Sequence, residues 1–288
     1  MSLSVVTYDP QRPLRGALRD LARSRELLLN LIWKDLRVRY RYAAMGFLWA
    51  VLEPLLMTLI LTFVFSLVFR YRPGAEALAP EMPFALFLLC GLIFWQFTAQ
   101  SVGQGTKSLI NNRNLVGKVA FPREVIPYAT IGVCAFNLAI GFVILMGLIT
   151  VFGGAPGWTW LLVPLVFMAQ LALVAGLALL LSTLNVGFRD VEYITDVALV
   201  FGFYATPIFY APGLVRELAA EYDRVPMLYE LYMLNPMACL VTAYRDLLLN
   251  NQAPVLFHVA WPAALGAAAL ITGLWVFRRN AGTLADRL

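Results

Sequence analysis

Charged residues are scarce in this 288-residue chain, because Asp, Glu, Lys and Arg together make up only 14% of it. Hydrophobic residues make up 61%, and the mean hydropathy is +0.75, a composition that excludes an ordinary soluble core. One histidine leaves little for acid–base chemistry, and the three cysteines lie far apart without a CxxC pair. Neither a zinc site nor a disulfide framework is therefore expected.

A nucleotide-binding loop is also missing from the sequence. Residues 103–108 read GQGTKS, but Thr106 rather than glycine precedes Lys107, and no strand is predicted before them. The sequence offers no Ser/His/Asp set, no aspartate pair and no metal-binding cluster. We therefore expect no catalytic residue, no metal and no cofactor in this chain.

Long uncharged runs are the main feature that the chain does have. Residues 125–188 contain no Asp, Glu, Lys or Arg; they are too long for one span, and Gly153, Gly154 and Pro156 divide them. We predict an all-α polytopic membrane protein with a transmembrane domain at 45–277, between cytoplasmic residues 1–44 and 278–288. Its six transmembrane helices are predicted at about 45–69, 82–106, 125–152, 158–184, 191–210 and 255–277.

The distribution of basic residues predicts the orientation. With the N-terminus inside, all but five of the 22 Lys and Arg residues lie in cytoplasmic segments. The five outside are Arg70, Arg72, Arg216, Arg224 and Arg245. The positive-inside rule therefore favours two cytoplasmic termini, and the net charge of +5 needs no nucleic-acid partner to explain it.

Three amphipathic stretches lie outside the predicted spans. Residues 14–42 place leucines at helical spacing among basic residues, which is typical of an N-terminal helix in the membrane interface. Residues 111–123 (NNRNLVGKVAFPR) fit either a short cytoplasmic helix that docks a soluble partner or a solvated loop. In the outer connection, 211–254, Asn235 is a predicted N-cap and Pro236 opens a helix too short to span, so it is re-entrant or interfacial.

Two acidic residues fall within predicted spans. Glu53 lies near the start of the first span, where a structural role, pairing with a basic residue near the inner interface, is favoured over ligand binding. Asp196 shares a helix face with Tyr193, Phe203 and Tyr204. Aromatic residues also form stripes, with Phe65 and Phe69 at the end of the first span and Phe84, Phe87 and Phe94 on the second. These rings fit either a lipid-facing belt or an aromatic-lined conduit for sugars.

Five stretches carry a resemblance to a known family. They read WKDLRVRYRYAAMGFLWAVLEPLL (33–56), NLVGKVAFPREVIPYA (114–129), LSTLNVGFRDVEYI (181–194), TPIFYAP (206–212) and LNPMACLVTAYRDLLL (234–249). Their order resembles the membrane subunit of ABC-2 type polysaccharide exporters, the O-antigen and teichoic acid group, with capsule exporters more distant. The motifs together are specific for the family and not for its cargo.

The resemblance implies a homodimer that works with two copies of an ABC ATP-binding subunit, which would hold ATP and Mg. It implies a multi-pass protein of the bacterial cytoplasmic (inner) membrane that moves lipid-linked polysaccharide and contacts membrane lipid. It makes the N-terminal segment an interface helix, with Lys34, Arg37, Arg39 and Arg41. It makes 111–123 a coupling helix that docks on the ATPase through Asn112, Arg113, Asn114, Leu115, Val116, Gly117, Lys118, Val119, Phe121, Pro122 and Arg123.

On the outer side, the resemblance makes the 211–249 region a set of gate helices. The candidate gate residues are Pro207, Tyr210, Pro212, Asn235, Pro236 and Tyr244. It also favours a sugar-conducting channel lined by the aromatic stripes and Asp196. Three alternatives stay open: an ABC-2 exporter of drugs or small lipids, a membrane-embedded enzyme acting on lipid-linked sugars, and a passive channel or scaffold.

Overall fold

The computed structural model describes residues 24–41, 48–70, 82–118, 121–221 and 227–284. The first part of the predicted amphipathic segment, the start of the first predicted span, the loop at 71–81 and Val119 lie outside the described residues. Within the described ranges the chain is helical and contains no strand.

Eleven α-helices form the described part of the chain. They are α1 (Arg25–Arg41), α2 (Leu48–Thr62), α3 (Phe84–Asn111), α4 (Arg113–Lys118), α5 (Val125–Val151), α6 (Val163–Gly187), α7 (Asp190–Ala205), α8 (Pro212–Glu221), α9 (Leu228–Met233), α10 (Pro236–Leu248) and α11 (Leu256–Asn280). A π-helical turn, Phe63–Val68, continues α2, and a 3-10 turn, Trp158–Leu162, precedes α6.

Five of these helical segments are long and apolar enough to cross a membrane, and they agree with five of the six predicted spans. They are Leu48–Ser66, Phe84–Asn111, Val125–Val151, Trp158–Gly187 and Leu256–Asn280. The second runs to Asn111 rather than ending at 106, so Lys107 belongs to the helix and not to a connecting loop. The predicted glycine break separates α5 from α6, with Gly153 at a φ of 87°.

The predicted span at 191–210 corresponds to the shorter helix α7. It has 16 residues, which rise about 24 Å against a hydrocarbon core of about 30 Å. The helix ends at Ala205 because Thr206 adopts an extended conformation before Pro207, whose ring disfavours a helical preceding residue.

Helix α3 is the centre of the bundle. Most of its side chains are buried, and it packs against α2, α5, α6, α7 and α10. Helices α6 and α11 form the closest helix pair, because a Cβ on Gly176 would lie 2.2 Å from the carbonyl carbon of Ala269 and one on Gly273 would lie 2.3 Å from the carbonyl oxygen of Gly176. Small residues let two membrane helices meet backbone to backbone in this way.

A second apolar cluster lies where α3 ends and α5 begins, apart from the main core. It joins α1, the 111–123 segment and the end of α11, and we name it the terminal cluster: Leu31, Leu109, Val116, Phe121, Val125, Ile126, Ala129, Leu179, Phe277 and Leu284. Because its members come from both ends of the described chain, this cluster fixes the first helix against the last.

Candidate functional site

Aromatic rings from the π-helical turn after α2, from α7, from α9 and from the link at 206–211 meet in one place. Phe209 is the hub, since its ring stacks on Phe65 at 4.9 Å and lies within 6.0 Å of Phe203, Tyr204 and Tyr210. We name this group the aromatic cluster: Phe65, Phe69, Phe203, Tyr204, Phe209, Tyr210 and Tyr232. Five of its members were predicted site residues, whereas Phe209 and Tyr232 were not.

Hydroxyl groups tie the aromatic cluster to the backbone. Tyr210 donates to the carbonyl oxygen of Tyr204 at 3.0 Å, and Tyr232 donates to the Tyr210 hydroxyl at 3.1 Å. Burial and this second hydrogen bond raise the pKa of the Tyr232 phenol well above its usual value. The hydroxyl therefore stays protonated, and the cluster presents ring faces and neutral hydroxyls without a fixed charge.

Part of this aromatic surface is open. Tyr204 and Phe69 are 63% and 67% exposed. Tyr193, which lies on the same face of α7 as Tyr204, is 70% exposed. Flat rings with neutral hydroxyls stack on apolar faces and hydrogen-bond hydroxyl groups without binding any charge tightly. The exposed side of the cluster therefore has the chemistry that a carbohydrate surface fits.

The other predicted channel aromatics lie elsewhere, inside the core. Phe87 and Phe94 are almost completely buried, and Phe84 packs on Phe87 with ring centroids 5.8 Å apart. Phe94 stacks flat on Tyr244, whose hydroxyl donates to Gln170 Oε1 at 2.8 Å. The amide of Gln170 in turn donates to the Phe94 carbonyl oxygen and to Thr98 Oγ1, both at 2.8 Å. The predicted stripe thus divides into an exposed group and a hydrogen-bonded interior group.

The predicted gate residues occupy several different places. Asn235 caps α10 as expected, since its side chain accepts from Met237 N at 2.9 Å, and Pro236 is the first helical residue. Pro212 opens α8. Pro207 is buried in the link, Tyr210 belongs to the aromatic cluster, and Tyr244 is in the core.

A charged group joins α3 to α7. Lys107 Nζ lies 3.0 Å from Asp196 Oδ2 and 3.1 Å from Glu192 Oε1. Asp196, a predicted channel residue, is therefore an ion-pair partner of α3. All three side chains are partly exposed, so the group orients α7 more than it stabilises the fold.

Two polar hollows flank the side of α3 that carries Gln96, Gln100, Gln104 and Lys107. A cavity of about 70 Å³ is lined by Arg39, Glu53 and both Gln96 and Gln100, beside a hydrogen bond of 2.7 Å from Tyr40 to Asn137. A wider recess of about 490 Å³ shares Arg39 with the cavity, and its polar lining residues are Lys34, Asp35, Arg39, Gln104, Lys107, Ser108, Asn111, Asn112 and Thr130. Glu53 thus faces a polar space shared with Arg39; its pairing with a base stays a prediction.

The four basic residues predicted for the interface helix lie on α1, and their side chains are exposed: Lys34, Arg37, Arg39 and Arg41. Lys34 Nζ lies 3.1 Å from Asp35 Oδ1. The buried face of the helix carries Leu31 and Leu36. The predicted amphipathic division holds only in part, because Leu29, Trp33 and Val38 are also exposed.

The 111–123 segment contains a short helix, α4, as one of the two readings predicted. Asn112 ends α3, and its side chain donates to the Ser108 carbonyl oxygen at 2.9 Å. Arg113 and Asn114 are exposed, whereas Val116 and Phe121 are buried in the terminal cluster. Leu115, Pro122 and Arg123 are partly buried. Gly117 and Lys118 form the last turn of α4.

A buried ion pair fixes this segment to the end of α11. Arg278 Nε donates to Glu124 Oε1 at 3.0 Å, and the two side chains are only 10% and 6% exposed. Arg123 donates to the carbonyl oxygen of Ala281 nearby. The end of the 111–123 segment is thereby joined to α5 and α11 by a buried ion pair and a hydrogen bond.

The model of the ABC-2 type transporter family matches residues 26–249 of the chain. The chain belongs to the ABC-2 type transporter family. The O-antigen export system permease protein RfbA of Myxococcus xanthus is 32% identical over 260 residues, which cover 90% of this chain and 92% of that protein. The RfbA of Klebsiella pneumoniae is 31% identical over 227 residues, covering 78% and 81%.

The family match covers the aromatic cluster, both polar hollows and the 111–123 segment of this ABC-2 chain. Some of its important residues carried too little signal in the sequence. Phe209 stands within the quoted TPIFYAP stretch, but only the link geometry makes it a hub. In the sequence, Arg245 is one charge in the predicted outer connection and Gln170 is one polar residue in a predicted span. Their importance could be inferred only from the rule that buried polar groups need hydrogen-bond partners.

Proposed function

We propose that this ABC-2 chain is the permease subunit of an ATP-driven exporter that moves lipid-linked polysaccharide across the bacterial cytoplasmic membrane. The observation that carries the proposal is the similarity, over most of the chain, to proteins named O-antigen export permeases. The exposed aromatic cluster supports it, because stacked rings and neutral hydroxyls suit a moving sugar chain.

The proposed path uses the polar side of α3 and then the aromatic cluster. Amides at Gln96, Gln100 and Gln104 offer both donors and acceptors to sugar hydroxyls. Lys34 and Lys107 in the recess are already paired with carboxylates, so the exposed guanidinium of Arg39, which lines both hollows, is the group offered to a phosphate on the lipid end. The rings at the other end of α2 then carry the chain outward, with α8 to α10 as the gate.

Two copies of the chain would form the working unit, each bound to one ATP-binding subunit that holds ATP and Mg. In this arrangement α7 and the link after it complete a sixth crossing, and both termini lie in the cytoplasm. Val197, Val200 and Phe201 on α7 are largely exposed, and this apolar surface is the place where we propose that the second copy packs.

The 111–123 segment would act as the coupling element. Exposed Arg113 and Asn114 offer contacts to the ATPase, while Val116, Phe121 and Glu124 connect the segment to α5 and α11. Closure of the ATPases on nucleotide would therefore reach the spans through the terminal cluster.

The decisive experiment is purification of the tagged chain from its native membrane, followed by an ATPase assay. We expect an ATP-binding subunit in equal amount and lipid-linked polysaccharide that accumulates inside cells lacking this chain. Replacement of 112–120 by a Gly/Ser linker is expected to abolish ATPase recovery.

A matched control replaces the hairpin at 152–157, beyond the opposite end of α5, by the same kind of linker. That variant should still recover the ATPase. Recovery of the chain alone in every detergent, or product formed on lipid-linked sugars without any ATPase, would instead support a channel or an enzyme. Normal surface polysaccharide with loss of drug or lipid export would favour the small-molecule exporter.

A further inference from the structure

Arg245 is a charged side chain buried inside the bundle. It lies on α10, is only 2% exposed, and its guanidinium carbon stands 3.4 Å above the centre of the Phe87 ring. A buried guanidinium is strongly destabilising unless its N–H groups find acceptors. The acceptors that it finds here show what the residue holds.

Its hydrogen bonds run to backbone carbonyls of two other elements. Nη2 donates to Ile208 O at 2.7 Å and to Phe87 O at 3.0 Å, and Nη1 donates to Pro207 O. One side chain of α10 therefore connects the first turn of α3 to the link at 206–211. The planar fork of arginine can contact several acceptors in this way, and lysine cannot.

The link is where such donors are most needed. The helical hydrogen-bond pattern stops after Ala205, yet Thr206, Pro207 and Ile208 are buried. Irregular backbone is tolerated at membrane depth only when the protein satisfies its polar groups. Asn235, at the start of α10, donates to the Ala205 carbonyl oxygen at 3.0 Å. Helix α10 therefore binds the chain on both sides of Thr206, through Asn235 before it and through Arg245 after it.

Gly91 supplies the space for this contact. A Cβ at that position would lie 2.6 Å from Arg245 Nη2 and 3.3 Å from Ile208 Cα. Alanine at position 91 must therefore displace the guanidinium, the link or both, without removing any donor or acceptor.

We propose that Arg245 is a positioning residue that holds the 206–211 link on α3 and so places Phe209 at the centre of the aromatic cluster. Phe209 directly follows the two residues whose carbonyls Arg245 binds. Its stacking on Phe65 and its contacts with Phe203 and Tyr204 depend on where the link lies. The inference rests on the proposed function only in linking this placement to export.

Hydrogen–deuterium exchange of the purified full-length chain in lipid nanodiscs tests the placement directly. The variants are Arg245→Lys, which keeps the charge but not the fork, and Gly91→Ala, which keeps Arg245. We expect amide exchange in 206–211 to rise roughly tenfold in each, as expected for lost charged hydrogen bonds. Exchange in the hairpin at 152–157 should stay unchanged.

Gly147→Ala is the matched control, because a Cβ there meets nothing within 4 Å. It should leave exchange in both segments as in the wild type. Unchanged exchange in 206–211 for Gly91→Ala and Arg245→Lys would overturn the proposal, and so would an equal rise across the whole chain. If Arg245→Lys does not fold, Gly91→Ala alone decides between these outcomes.

Export per ATP hydrolysed, measured at matched protein amounts with the co-purified ATPase, separates positioning from stability. We expect Gly91→Ala to retain ATP hydrolysis and to export several-fold less polysaccharide per ATP than Gly147→Ala. Equal export by the two variants would overturn the link to transport. If the wild type exports no polysaccharide, the proposed function fails, while the exchange result still decides whether Arg245 places the link.

Discussion

Helices α3 and α7 differ in how their aromatic side chains are used. On α3, Phe87 and Phe94 are no more than 2% exposed, whereas on α7 Tyr193 and Phe201 are 70% and 72% exposed. The hydropathy of the two helices does not distinguish them, because lipid is as apolar as a protein core. What distinguishes them is the number of hydrogen bonds and helix contacts that surround the rings. Phe87 and Phe94 of α3 lie beside the hydrogen bonds of Arg245, Gln170 and Tyr244, whereas the exposed face of α7 has few such contacts.

The largest effect is expected from breaking the buried ion pair between Glu124 and Arg278, which belongs to the well-packed part of the bundle around α3. Glu124→Ala removes the buried carboxylate that Arg278 Nε binds, and removing one partner of a buried ion pair destabilises a chain by about 3–5 kcal/mol. Unfolding by denaturant in detergent micelles measures the loss. Arg279→Met, one residue along on the exposed side of α11, is the control and should change the unfolding free energy by about 1 kcal/mol or less.

The close approach of α6 and α11 gives the next largest expected effect. Gly273→Ala places a methyl group against the Gly176 carbonyl oxygen, and such overpacking destabilises by about 1–3 kcal/mol. The midpoint of thermal unfolding should fall accordingly. Gly147→Ala is the control, because it adds the same methyl group in open space. If both variants unfold at the same temperature, the close contact between α6 and α11 does not stabilise the bundle.

A smaller effect is expected from the hydrogen-bonded interior of the core. Tyr244→Phe removes the donor to Gln170 Oε1 and should destabilise the chain by about 0.6 kcal/mol and by no more than about 1.7 kcal/mol, the average and the maximum for hydrogen bonds between membrane helices. Tyr193→Phe makes the same change on the exposed face of α7. An equal loss in both variants would remove the contrast between the two helices.

The smallest effect is expected on the open face of α7. Phe201→Ala should alter the unfolding free energy of the protomer by no more than about 0.5 kcal/mol, because the ring is largely exposed. Native mass measurements on the same sample report the oligomer. If the dimer is lost while the unfolding free energy of the protomer stays the same, the exposed face of α7 serves assembly and not the protomer fold. A large loss of protomer stability would contradict the difference between α3 and α7.

Local signals in the sequence were enough for much of the fold. Five spans follow from runs of apolar residues, and the Asn235 cap follows from one side chain and the proline after it. The end of α7 was placed too late, because the apolar run continues through Ile208 and Phe209 although Pro207 has already ended the helix. Local composition thus predicts where a span lies better than where it stops.

The site was harder to predict, because in a membrane protein apolar residues face both the core and the lipid. Periodicity therefore could not tell buried Phe94 from exposed Tyr204. Arg245 was counted among the outside charges, since its partners are backbone carbonyls that no side-chain pattern records. Phe209 becomes a hub only through the tertiary placement of the link. Each of these depends on contacts between elements far apart in the chain.

The terminal cluster has a consequence for how the protein is made. Leu31 and Val116 share this cluster with Leu284, which leaves the ribosome only after the five candidate spans have been synthesised. Until then, the apolar face of α1 and of the short helix α4 lack part of their partners, and such exposed surface in unfinished chains invites aggregation. The terminal cluster can therefore close only after the last described residues of the chain have been synthesised.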